Sequence, residues 1–131
     1  MLEEKIASNN EETPLGVIYF DLNDLKGVND KYGHEAGDNY IRSFVKTIKE
    51  LVGDMLYRIG GDEFVAIYPG TEAEFLILVD SLKDFMKKTC LASFGAKYYP
   101  NGVNLKNAIS ECDKLMYKYK QQYFTKNSIT R

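Results

Sequence analysis

The feature that most constrains this chain is a tight turn. Gly60-Gly61-Asp62-Glu63-Phe64 stands between two short apolar runs, Met55 to Ile59 and Phe64 to Tyr68. Arms this short, joined through glycines that can take positive φ angles, predict a β-hairpin. Asp62 and Glu63 then ride on backbone that the turn holds in place. Upstream, Leu15 to Asp21 is a continuous apolar run closed by an acid. It does not alternate, so it predicts a strand covered on both faces and central in its sheet. Three acids on two strand ends suit hard cations and phosphate chemistry.

The remaining periodicity supplies helices around these strands. Residues 1 to 12 read as the tail of a helix and a polar linker, which Thr13-Pro14 ends. Asn23 to Tyr32 reads as a short polar helix or turn-rich segment stopping at Gly33. A second helix is expected after Gly37-Asp38, with Ile41, Phe44, Val45, Ile48 and Val52 on one stripe. Thr71-Glu72-Ala73-Glu74 has the spacing of a capping box and opens a helix with Phe75, Leu78, Val79, Leu82, Phe85 and Met86 inward. Leu91 to Tyr99 predicts another strand, and Leu105 to Gln122 a final helix. The order β-α-β-β-α-β is that of a ferredoxin-like α+β fold, a mainly antiparallel sheet with helices on one face. The other face is expected to be free for a substrate.

With 131 residues the chain holds one domain. Residues 1–14 are read as helix end and linker, 15–122 as the domain, and 123–131 as a C-terminal tail. A net charge of -2 lacks the positive field that binds nucleic-acid polymers, so a nucleotide is favoured over a polynucleotide. One histidine and two separated cysteines, Cys90 and Cys112, are too few soft ligands for zinc. The cysteines read as small buried side chains in a reducing cytoplasm. No run approaches the ~18 apolar residues that span a bilayer, and the start has no signal-peptide core. The expectation is a cytoplasmic domain without direct membrane contact, cut from a longer parent, free or membrane-tethered, that carries a sensor or regulatory domain.

Six motifs, in order, carry a resemblance to a known family. They are Asp21-Leu22-Asn23-Asp24-Leu25-Lys26, Asn29-Asp30-Lys31-Tyr32-Gly33-His34, Gly37-Asp38, Arg58-Ile59-Gly60-Gly61-Asp62-Glu63-Phe64, Ser93-Phe94-Gly95 and Asp113-Lys114-Leu115-Met116-Tyr117. From about Leu15 to Lys120 the chain resembles the GGDEF domains, diguanylate cyclases that condense two GTP molecules into cyclic di-GMP on a nucleotide-cyclase palm core. The resemblance implies two Mg2+ ions, with Mn2+ as a substitute, held by Asp21, the Leu22 carbonyl, Asp62 and Glu63. Asp62 and Glu63 are the implied catalytic acids, and the role of base stays undivided between them.

The same resemblance implies a substrate set of Leu25, Lys26, Asn29, His34, Asp38, Gly60, Gly61 and Lys120. Asn29 and Asp38 match guanine readers: an amide meets the purine's acceptor-and-donor edge, and a carboxylate accepts from the ring N–H and amine. Without the resemblance, the favoured reading is Asp38 as a helix cap and Asn29 as a polar turn residue. Lys26 and Lys120 match positions near the triphosphate, and His34 reads either as scaffold or as pocket. The family pairs two such domains face to face, so a homodimer is implied for turnover.

Four departures stand out. The opening Asp-x-Leu-Thr-Gly-Leu signature has no counterpart. The Arg-x-x-Asp product-inhibition motif reads Leu51-Val52-Gly53-Asp54, which lacks a guanidinium donor. Phe124 stands where an arginine usually follows the terminal lysine, with Lys126 nearby. The segment between Phe75 and Ser93 is too short for the hairpin common in the family.

Overall fold

The structure, a computed structural model, describes residues 2–129, with side chains described through Gln121. Chain order is α1 Leu2–Ser8, β1 Leu15–Leu22, α2 Leu25–Tyr32, α3 His34–Val52, β2 Leu56–Arg58, β3 Glu63–Tyr68, α4 Glu72–Thr89, β4 Ala92–Tyr99 and α5 Leu105–Ile129. The strands form one antiparallel sheet in the order β2-β3-β1-β4. This is the expected α+β class, and β1 lies inside the sheet between β3 and β4. Asp21 has Glu63 as its register partner on β3 and Ser93 on β4.

The helices occupy both faces, which corrects the expectation of one covered and one open face. Ile18, Phe20 and Leu22 pack with Phe44, Ile48 and Val52 of α3 and with Phe75, Leu78, Leu82 and Met86 of α4. Val17 and Tyr19 point the other way, into a second cluster with Leu105, Ala108, Cys112 and Met116 of α5 and, at its margin, Leu2 and Ile6 of α1. A strand apolar on alternate residues of both kinds needs cover on both sides, and α5 supplies the second cover. Gly95 lets it approach: a Cβ there would collide with the Cys112 carbonyl and the Met116 amide.

Helix boundaries follow local chemistry. Thr71 Oγ1 accepts from Glu74 N at 3.2 Å and Thr71 N donates to Glu74 Oε1 at 3.1 Å, the expected capping box. Only Cys90 and Leu91 separate α4 from β4, so no hairpin intervenes. Helix α3 starts at His34 rather than after Asp38, because Gly33 at φ 91° ends α2 and begins the next helix at once. Cys112 is buried as expected, but Cys90 is exposed, at the left-handed position (φ 53°) that ends α4. Helix α5 continues to Ile129, past the expected Gln122, and the side chains of Phe124 and Lys126 lie outside those described.

Candidate active site at the end of β1 and the hairpin tip

Strand β1 delivers Tyr19 and Asp21 at alternate positions, so the two side chains share the face that α5 covers, and Asn23 follows in the turn just past the strand. Glu63, the partner of Asp21, shares it too. The hairpin tip is tied to β1 by the backbone: Leu22 N donates to the Asp62 carbonyl at 2.8 Å. Arg58 closes the tip from the other side. Its Nε donates to the Gly60 carbonyl at 3.1 Å and its Nη2 to the Gly61 carbonyl at 2.8 Å. With Ile59 N on the Glu63 carbonyl at 2.9 Å, the turn holds Asp62 and Glu63 in register with the end of β1.

Helix α5 brings Lys120 to this point, with Nζ donating to Asp21 Oδ2 at 2.9 Å. The second oxygen, Asp21 Oδ1, is buried and has no hydrogen-bond partner. Burial lifts the Asp21 carboxyl above its ordinary value; the Lys120 ammonium opposes the shift, and the like charge of Asp62 adds to it. Two ionised carboxylates are both acceptors and cannot bond to each other. Proximity therefore leaves Oδ1 unsatisfied until a proton or a cation comes between the two acids. Glu63 Oε2 accepts a hydrogen bond from the Tyr19 hydroxyl. Among the described residues no group of three or more His, Cys, Asp or Glu side chains gathers as a metal cluster.

A second group lies on α2 and α3. Asn29 is half-buried within α2, and Gly37 on α3 makes room for it, since a Cβ at Gly37 would strike Asn29 Oδ1. Asp38 is exposed inside α3, well past the Gly33 cap, so its place is not explained by capping. Lys26 is exposed on α2, His34 is exposed at the first residue of α3, and Leu25 is half-buried at the start of α2. Tyr40 links the two groups: its hydroxyl donates to the carbonyls of Asn23 at 2.9 Å and Leu91 at 3.3 Å. Asn23 in turn donates to the Cys90 carbonyl at 2.9 Å and accepts from the buried Ser93 at 3.2 Å.

Backbone pairing thus sets the end of β1, with Asp21 and Leu22, next to Gly60, Gly61, Asp62 and Glu63 of the hairpin tip, and Lys120 reaches Asp21 from α5, while the acid side chains do not converge as a group of three. The fold sets Asn29 beside Gly37-Asp38 on the neighbouring helix pair. Three residues went unassigned at the level of sequence: Tyr19, Arg58 and Ser93. Arg58 had a visible signal, an arginine two residues before paired glycines, whereas Tyr19 looked like one more apolar strand residue.

An antiparallel β2-β3-β1-β4 sheet with acids at one strand end and at the adjoining hairpin tip is the architecture of a nucleotide-cyclase palm domain. The chain matches the family model "Diguanylate cyclase, GGDEF domain" over residues 1–126, and it belongs to that family. It is 28% identical over 122 residues to the diguanylate cyclase DgcS of Shewanella oneidensis, covering 86% of this chain and 41% of DgcS. Among solved structures it is similar to an EAL/GGDEF domain protein from M. capsulatus, with TM-score 0.75 and 22% identity over 92% of this chain and 88% of that one. The GGDEF domain of DgcB from Caulobacter crescentus, solved in complex with c-di-GMP, gives TM-score 0.72 and 20% identity over 90% and 80%. The chain spans less than half the length of the first curated relatives it matches. No helix among the described residues is long and apolar enough to cross a membrane.

Proposed function

We propose that this domain is a diguanylate cyclase, condensing two GTP into cyclic di-GMP with release of pyrophosphate. The observation that carries the reading is the buried, unpartnered Asp21 Oδ1 beside Asp62, on the strand end that the hairpin tip overhangs. Asp21, the Leu22 carbonyl, Asp62 and Glu63 would supply an all-oxygen donor set, whose hard oxygens suit Mg2+, or Mn2+ in its place, better than any softer metal. When bound, such a cation neutralises phosphate charge and polarises the phosphoryl oxygens.

The chain's own residues do the rest. Asn29 and Asp38 hold the guanine edge, and Lys26 and Lys120 supply point charges for the triphosphate. The backbone of Gly60 and Gly61 lets phosphate approach the tip without side-chain obstruction, with Leu25 and His34 on the nucleotide side of α2 and α3. The 3′-oxygen of one GTP attacks the α-phosphorus of the other. An O–P bond forms, the bridging bond to the β-phosphate breaks, pyrophosphate leaves, and the hydroxyl proton passes to an acceptor, with Asp62 and Glu63 the acids at hand. Each chain holds one nucleotide, so two chains must meet; that encounter supplies most of the rate. In a longer parent, a sensor or regulatory domain would set it.

The test is to fuse the chain to a dimerising helix, add GTP and Mg2+, and quantify cyclic di-GMP. Product from the unmodified sequence, reduced on the order of a hundredfold or more in Glu63→Gln, is expected. No product at high protein concentration would overturn the reading. Asn29→Ala should also erode discrimination between GTP and ATP.

One observation favours a second reading, a GTP-binding regulatory module with weakened turnover. Lys120 stands on the carboxylate proposed to hold the cation. GTP binding without product, together with unchanged downstream signalling in Glu63→Gln, would favour it.

A further inference from the structure

Tyr19 lies in the middle of β1, two residues before Asp21, and is 4% exposed. Its hydroxyl is the group that holds Glu63: it donates to Oε2, across from β1 to the first residue of β3. Glu63 Oε1 lies on the other side, toward the hairpin tip, 3.4 Å from where a Cβ at Gly60 would be. The carboxylate is thus fixed by one oxygen and presents the other to the glycine turn.

From this arrangement we infer that Tyr19 is a positioning residue, which holds Glu63 so that Oε1 faces the nucleotide and cation at the hairpin tip. The inference rests on the proposed cyclase reaction. An unheld glutamate has three freely rotating side-chain torsions and can turn away from the tip, whereas a carboxylate tethered by a buried phenol pays that ordering cost in folding. Partners behind a ligand or base commonly matter roughly ten- to hundredfold to metal affinity or activity.

The experiment uses Tyr19→Phe, which keeps the ring in its apolar cluster and removes only the hydroxyl. On the helix-fused dimer, kcat and KM for GTP are measured; Mn2+ affinity is measured by calorimetry with a non-hydrolysable GTP analogue. Both are repeated in the Glu63→Gln background. The expected result is a fall of roughly tenfold or more in kcat or in Mn2+ affinity, KM for GTP within about twofold, and no further loss of Mn2+ affinity when Glu63 is already Gln. A fall confined to kcat assigns Oε1 to the proton, and one that includes Mn2+ assigns it to the cation; either supports the positioning role. Wild-type kcat and Mn2+ affinity in Tyr19→Phe, an effect on KM alone, or an equal Mn2+ loss in both backgrounds would overturn it. Absence of product from the unmodified sequence would instead overturn the cyclase reading. The calorimetric comparison would then still decide whether Tyr19 acts through Glu63.

Discussion

Lys120 Nζ stands 2.9 Å from Asp21 Oδ2, pairing the last helix with the first strand across a sequence separation of 99 residues. The ammonium proposed to meet phosphate therefore rests on the carboxylate proposed to hold the cation. With Asp62 beside it, Asp21 needs a positive neighbour, and Lys120 serves until a divalent ion arrives. Lys120→Met should therefore raise Mn2+ affinity of the nucleotide-free protein by about tenfold, because a competing cation is gone, while lowering GTP affinity by about the same factor. Calorimetry reads both. Two affinities moving in the same direction would contradict the exchange.

Asp21 itself predicts a conflict between stability and function. Its carboxyl is raised by burial above the ordinary value of 3.8, so folding favours the protonated form more than the unfolded chain does. The folded chain then binds more protons than the unfolded one between 3.8 and the raised value. Stability contributed at this position falls as pH rises through that window and is flat above it. Asp21→Asn removes the fall. Thermal melts of Asp21→Asn from pH 4 to pH 7 should show a melting temperature at pH 7 no lower than that of the parent, and a flatter profile, with turnover abolished. A variant that loses more stability at pH 7 than at pH 4 would reverse the sign.

Two glycines separate positioning from packing. At Gly37 an added Cβ meets the mobile end of Asn29, so Gly37→Ala should leave stability nearly unchanged but displace the amide and raise KM for GTP about tenfold. At Gly95 it meets the backbone of α5, which cannot step aside. Gly95→Ala should cost about 1–3 kcal/mol in chemical denaturation, the range for overpacking, and shift Lys120 with the helix. Equal stability losses in the two variants would show that neither glycine has the role described.

Product feedback should be weak. Where the family carries the inhibitory arginine this chain has Leu51, half-buried against the α3–α4 cluster, followed by the buried Val52. An apolar side chain committed to packing offers no donor for a guanine edge or a phosphate. Initial rates measured with added cyclic di-GMP should change less than about twofold at concentrations that saturate arginine-bearing sites. Strong non-competitive inhibition would point to a second nucleotide surface elsewhere.

Much of this architecture was legible because its signals are local. The unbroken run through Val17, Ile18 and Phe20 marked a strand buried on both sides, and Thr71 with Glu74 marked the start of α4 to the residue. The periodicity of Phe44, Ile48 and Val52 marked α3, but not its first turn, since Gly37 reads as a boundary although the helix runs through it from Gly33. What periodicity does not encode is which face a helix covers. The apolar stripe of α5 reads the same on either side of the sheet, so the second cover over Tyr19 was missed even though the burial of β1 required it. The acids of the hairpin tip were singled out from their own neighbourhood. Their partners were not, because the Tyr19–Glu63 contact spans 44 residues and nothing in an aromatic strand residue announces a hydroxyl turned toward a carboxylate.

The central claim is that the end of β1 and the hairpin tip together form a cation-dependent phosphate site. Titrating Mn2+ into isotope-labelled protein with a non-hydrolysable GTP analogue, and following paramagnetic broadening of amide resonances, tests it most directly. The account predicts that broadening begins at Asp21, Leu22, Asp62 and Glu63 and is lost in Asp21→Asn. Broadening centred elsewhere, or unchanged by that substitution, would contradict it.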